Sequence, residues 1–63
     1  MIKRAALERH LREHGCVPKR EGARHSIWFN PATERSSSLP RHRELPRGTA
    51  RAICQQLGVP SVR

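Results

Sequence analysis

Strongly apolar residues are scarce in this chain of 63 residues: Leu, Ile, Val and Phe together number 12, and Trp28 and Phe29 are the only aromatic residues. Asp is absent, and five Glu face 13 Lys and Arg, which gives a formal net charge of +8. A chain this short has room for one small domain, which excludes barrel enzymes, dinucleotide-binding folds and tandem repeats. Few apolar residues combined with a high net charge are typical both of a disordered basic tail and of a marginal domain that needs a partner.

Long hydrophobic runs and closely spaced cysteines are also missing. No segment approaches the roughly 18 apolar residues of a membrane span, and residues 1–9 carry charges where a signal peptide needs an apolar stretch. We therefore expect a cytoplasmic protein that does not span a membrane. Cys16 and Cys54 are the only cysteines, whereas a small secreted domain usually carries about four or more. We expect both to be reduced core residues rather than a disulfide or a metal site.

The excess positive charge consists mainly of Arg, which supplies 11 of the 13 cations. It favours a polyanion or an acidic protein as the partner. The guanidinium group suits phosphate in particular, because it can bind two oxygens at once. A surface that is merely very soluble is the alternative, so charge suggests a class of partner but no reaction.

The order of apolar residues predicts a helix, three strands and a second helix. A stripe at three- and four-residue spacing predicts the first helix over residues 3–14, and Gly15 ends it. Three extended segments separated by turns follow at residues 16–20, 25–30 and 35–39. The second helix begins near Pro46 and ends at Gly58. We expect one α+β domain over residues 1–63, in which two helices cover one face of a three-stranded antiparallel sheet.

One histidine is a candidate for catalysis on phosphate. His25 follows the turn at Gly22 and begins the best strand, with Arg24 beside it and Lys19 and Arg20 on the facing strand. An imidazole exchanges a proton near neutral pH and cations hold a phosphate, which is nearly all that RNA cleavage by 2′-hydroxyl attack requires. From spacing alone, a polar residue that merely begins a strand is the simpler interpretation.

The other histidines are weaker candidates. His42 stands between Arg41 and Arg43, where it is a general acid, a phosphate ligand or simply part of a solvated basic loop. His10 and His14 share one face of the first helix at the spacing of a metal-binding pair, but no third ligand is evident. We place this pair at the border of the core and assign no metal.

The adjacent aromatic residues Trp28 and Phe29 fall on opposite faces of the same strand, since side chains alternate along a strand. One of them is expected in the core. The other could stack on a base or pack beneath a partner protein.

Several short motifs, taken in order, resemble those of the HicA family. Members of this family are small mRNA interferases, the toxins of bacterial type II toxin–antitoxin systems. The glycine turn followed by a histidine at residues 22–25 is similar, as is the helix that ends at His14 and Gly15. The remaining similar segments are residues 26–31, 39–45, 48–53 and 56–58. Together they extend over nearly the whole chain.

The resemblance implies a fold like that of a double-stranded RNA-binding domain, with the order α-β-β-β-α. It also implies an endoribonuclease that inhibits translation by cleaving mRNA, with His25 as the catalytic residue and no metal or other cofactor. The implied partner is a HicB-like antitoxin that covers the site. Basic residues on the turns and loops around His25 are expected to bind the RNA: Lys19, Arg20, Arg24, Arg41, His42 and Arg43.

Two other functions stay open at this point. A non-catalytic RNA-binding module of the same fold would bind duplex RNA with a steep salt dependence and leave it uncut. A pure protein-interaction domain would instead be held folded by an acidic partner.

Overall fold

The computed structural model describes residues 1–62, so Arg63, the last residue of the expected domain, lies outside the described residues. Its elements in chain order are β1 (Ile2–Lys3), α1 (Arg4–Glu13), β2 (Val17–Glu21), β3 (His25–Asn30), β4 (Arg35–Pro40), β5 (Glu44–Leu45) and α2 (Arg47–Leu57). Strands β2, β3 and β4 form an antiparallel sheet with β3 in the centre. The predicted α-β-β-β-α order is confirmed, and with it the α+β fold like that of a double-stranded RNA-binding domain.

The two-residue strands β1 and β5 were not predicted from the sequence, which began the first helix at residue 3 and gave no element between residue 39 and Pro46. They pair antiparallel, with Ile2 opposite Leu45 and Lys3 opposite Glu44. The backbone N–H of Arg4 extends the contact by donating to the carbonyl of Arg43 at 2.9 Å. Strands this short have no recognisable period, and burial of Ile2 and Leu45 in the core holds them together. The basic segment at residues 41–43 is thereby held against the start of α1.

The alternation of side chains along β3 separates a core face from an open face. Ser26, Trp28 and Asn30 are buried on the side of the helices, whereas Ile27 and Phe29 are half-buried on the other side. Trp28 is 1% exposed and is the largest side chain in the core. The expectation that one of the two aromatic residues lies in the core is confirmed, and it is Trp28. The other core side chains are Ile2, Leu7, Leu11, Cys16, Leu39, Leu45, Ala50, Ile53, Cys54 and Leu57.

Asn30 joins the end of β3 to the end of α2. Its side-chain amide donates to the carbonyl of Leu57 at 2.7 Å, and its side-chain oxygen accepts from the N–H of Ala32 at 3.0 Å. The hydroxyl of Thr33 donates to the same Leu57 carbonyl at 3.0 Å. These bonds satisfy a carbonyl that the last turn of a helix leaves without an intrahelical partner. They also set how α2 lies against the sheet.

Cys16 and Cys54 are both buried and free, as expected for core cysteines. Burial raises the pKa of the Cys16 thiol, and the nearby Cys54 raises it further. Burial likewise raises the pKa of Cys54, although a hydrogen bond with the backbone of Val62 opposes that change. Both groups therefore hold their protons more tightly than an exposed thiol does.

Both thiols are expected to react slowly with iodoacetamide in the folded protein, because only the thiolate is nucleophilic and both side chains are shielded. Mass spectrometry of samples alkylated at pH 8 measures this, with the same reaction in urea as the control. The folded protein should remain largely unmodified while the unfolded chain gains two labels. Equal labelling with and without urea would contradict the burial of these thiols.

Candidate functional site

A tight turn places His25 at the first position of β3. The N–H of Gly22 donates to the carbonyl of His25 at 2.8 Å, which closes the turn that carries Ala23 and Arg24. A Cβ atom added at Gly22 would lie 2.8 Å from that same carbonyl oxygen, closer than real Cβ atoms approach. Glycine is therefore required where the backbone turns toward His25.

His25 lines an exposed cleft of about 270 Å³ together with Arg24, Arg41 and His42. The turn supplies one wall, and the segment that follows β4 supplies the other. His25 lies opposite Pro40 in the sheet, and the N–H of Arg41 donates to the carbonyl of Arg24 at 3.2 Å. The site thus combines two pairs of neighbouring residues, 24–25 and 41–42, which are at least 16 positions apart in the sequence.

The cleft can bind an anion and exchange protons. Its four lining side chains are two imidazoles and two guanidinium groups, and within residues 1–62 no carboxylate lines it. Guanidinium groups hold phosphate oxygens through two parallel hydrogen bonds, and an imidazole takes up or releases a proton near neutral pH. All four residues are exposed, so a large substrate has direct access to them.

The residues expected to bind RNA lie in three different places. Arg24, Arg41 and His42 share the cleft with His25, whereas Arg43 lines a separate cleft beside α1. The Arg41 side chain is also engaged within the protein, since its Nη1 donates to Glu21 Oε2 at 3.0 Å and to the carbonyl of Gly22 at 2.8 Å.

Lys19 and Arg20 lie on the open face of the sheet, away from the cleft. Lys19 Nζ is 4.7 Å from the centre of the Phe29 ring, and Phe29 is four residues, or about 13 Å along a strand, from His25. Arg20 lies opposite Ile27, between these two points. These cations extend the positive surface but do not line the site of His25.

A polar network beneath the cleft was missed by the sequence prediction. Arg4 of α1, Ser26 of β3 and Glu21 of β2 are linked by hydrogen bonds, which continue to Arg41. No spacing rule relates these positions, because each belongs to a different element. The alternation of β3 does indicate that Ser26 faces inward, which is the only local signal for the network.

The His10 and His14 rings lie 4.6 Å apart, centre to centre, on α1. His10 Nε2 is 2.6 Å from the carbonyl oxygen of Pro60, and the ring is half-buried. Among residues 1–62, no group of three His, Cys, Asp or Glu side chains could hold a metal ion. His10 connects α1 to the segment after α2, as expected for a histidine at the border of the core, whereas His14 is exposed at the end of the helix.

None of the helices within residues 1–62 is long and apolar enough to cross a membrane. Comparison with curated proteins and with solved structures gives no significant match. A family model does match: the HicA toxin of bacterial toxin–antitoxin systems, over residues 4–59. The match includes both helices, the three-stranded sheet and the four residues of the cleft. Toxins of such systems are paired with an antitoxin partner. The chain therefore belongs to the HicA toxin family, and it is the toxin of a bacterial toxin–antitoxin pair.

Proposed function

We propose that this toxin is an endoribonuclease that arrests translation by cleaving mRNA, with His25 as its catalytic residue. The observation that carries the proposal is the cleft itself, in which two histidines and two arginines converge from distant parts of the chain. Proton transfer and phosphate binding are the two abilities that RNA cleavage by an internal hydroxyl needs. Membership in a toxin family is consistent with an activity that stops growth.

In the proposed reaction, neutral His25 removes the proton from a ribose 2′-hydroxyl. The 2′-oxygen attacks the adjacent phosphorus, a bond from oxygen to phosphorus forms, and the bond to the 5′-oxygen of the next nucleotide breaks. Water supplies a proton to that oxygen, which leaves as a 5′-hydroxyl, while the other fragment keeps a 2′,3′-cyclic phosphate and the protonated His25 later returns its proton to water. Arg24 and His42 stabilise the negative charge that accumulates on the phosphate oxygens. The route requires no metal ion.

The proposed antitoxin is a HicB-like protein that covers the cleft. A net charge of +8 favours an acidic surface on that partner. The open face of the sheet adds apolar area beside the cleft, where Val17 is 45% exposed and Ile27 and Phe29 are half-buried. An antitoxin that lies over both regions would exclude RNA from His25.

The ends of the RNA fragments test this mechanism. The toxin is expected to cut a synthetic RNA in the presence of EDTA and to leave 2′,3′-cyclic phosphate and 5′-hydroxyl ends. The matched control is the same RNA with a single 2′-deoxyribose at the cleaved position, which should stay intact because the nucleophile is missing. Fragments with 5′-phosphate ends, or cleavage that EDTA abolishes, would refute the metal-free route. RNA that is bound but never cut would favour a non-catalytic RNA-binding module.

A further inference from the structure

We propose that Arg4 and Glu21 are positioning residues for the RNA cleavage attributed to His25. Neither lines the cleft, yet the two hold its walls together through Ser26 and Arg41. The inference rests on the proposed ribonuclease function and extends it to residues outside the site. It also gives Arg41 a structural task in addition to phosphate binding.

The network consists of direct hydrogen bonds. Arg4 Nη2 donates to Ser26 Oγ at 3.0 Å, and Ser26 Oγ donates to Glu21 Oε2 at 2.9 Å. The same carboxylate oxygen accepts from Arg41 Nη1 at 3.0 Å. Arg41 Nη1 also donates to the carbonyl of Gly22 at 2.8 Å. One continuous path therefore leads from α1 to the turn before His25.

Arg4 also reaches the other wall of the cleft. Its Nε donates to the carbonyl of Pro40 at 2.9 Å, and its Nη1 forms an ion pair with Glu8 at 3.0 Å. Pro40 lies opposite His25 in the sheet and directly precedes Arg41. A single guanidinium group thus contacts residues adjacent to His25 on one wall and to Arg41 on the other.

The burial of the contacts differs along the network. Ser26 is fully buried, and its hydroxyl both accepts and donates a hydrogen bond. The side chains of Glu21 and Arg41 are 59% and 45% exposed. An exposed ion pair contributes little to stability, because water and salt screen it. We therefore attribute to the Glu21–Arg41 pair a role in fixing the geometry of the turn, rather than a large contribution to the free energy of unfolding.

Loss of the Glu21 carboxylate should slow RNA cleavage without weakening RNA binding. Glu21→Ala removes a negative charge near the cleft and releases Arg41 Nη1 for phosphate, so RNA binding should be unchanged or tighter. The turn that carries His25 loses its support, and small misplacements of a catalytic group are costly. We expect the cleavage rate at saturating RNA to fall roughly 10- to 100-fold.

The experiment compares single-turnover cleavage at saturating RNA across matched variants, with RNA affinity measured separately in a His25→Ala background that does not cut. Glu13→Ala is the control, because it removes the same charge from an exposed position at the end of α1. Glu21→Gln should recover much of the rate, since an amide oxygen still accepts from Ser26 and Arg41. Arg4→Lys should also cleave saturating RNA slowly, because an ammonium group cannot make the forked contacts of Arg4. A wild-type rate in this variant would contradict the positioning role of Arg4.

A slower rate without weaker RNA binding, partly restored by Gln, would support the positioning role. The proposal is wrong if Glu21→Ala cleaves saturating RNA as fast as Glu13→Ala does, or if weaker RNA binding is its only defect. It is equally wrong if Glu21→Gln is as slow as Glu21→Ala although both variants melt at the wild-type temperature. Absence of cleavage by the wild-type toxin would instead refute the ribonuclease function itself.

Discussion

His25→Ala is expected to abolish growth arrest and to lower the RNA cleavage rate about 100- to 10,000-fold, the usual contribution of a general base or acid. Within residues 1–62, His42 is the other imidazole that lines the cleft, and we do not expect it to replace His25 because it belongs to the opposite wall. His25 is exposed and the variant removes no core contact, so the fold should be retained. The measurement is the growth of cells after induction, together with cleavage of a synthetic RNA by the purified variant.

His14→Ala is the matched control for this experiment. His14 is also an exposed histidine, but it lies at the end of α1 and outside the cleft. At equal expression it should arrest growth as the wild type does. If cells that express His25→Ala also stop growing, His25 is not the catalytic residue. A His14→Ala protein that has lost its toxicity would show that any histidine substitution is harmful and that the assay lacks specificity.

Trp28→Ala is expected to lower the free energy of unfolding by about 3–5 kcal/mol, as the truncation of a large buried aromatic residue does. Trp28 is 1% exposed and belongs to a core of 11 apolar side chains within residues 1–62, and the guanidinium of Arg12 lies 5.1 Å from its ring centre. The free energy of unfolding of small domains lies near the lower end of the roughly 5–15 kcal/mol found for native proteins. The variant should therefore retain at most a marginal stability and be partly unfolded at 37 °C.

Phe29→Ala is the matched control, because it shows how much stability is lost when an aromatic residue outside the core is removed. Phe29 is adjacent in sequence but half-buried on the open face, so its replacement should cost only about 1 kcal/mol. Circular dichroism during urea and thermal unfolding measures both variants. Similar losses for Trp28→Ala and Phe29→Ala would contradict the assignment of the two faces of β3.

Periodicity explains why most of the framework could be predicted from the sequence. The stripe that includes Leu7 and Leu11 faces the core at the spacing of a helix, and the alternation at Trp28 follows that of a strand. Both signals are local, since each depends on residues only two to four positions apart. The position of His25 at the start of a strand is local as well, because it follows from the glycine turn.

The sequence by itself therefore determined the two helices, the three strands, the open sheet face and the candidate His25. Only the tertiary structure decided which cations surround that histidine, how β1 pairs with β5, and that Arg4 supports both walls of the cleft. The contacts of Arg4 with Pro40 and Ser26 connect residues 36 and 22 positions apart, and Arg41 and Glu21 are 20 apart. Side-chain periodicity shows which way a residue faces within its own element. It carries no information on the distance to another element, which depends on how the whole core packs.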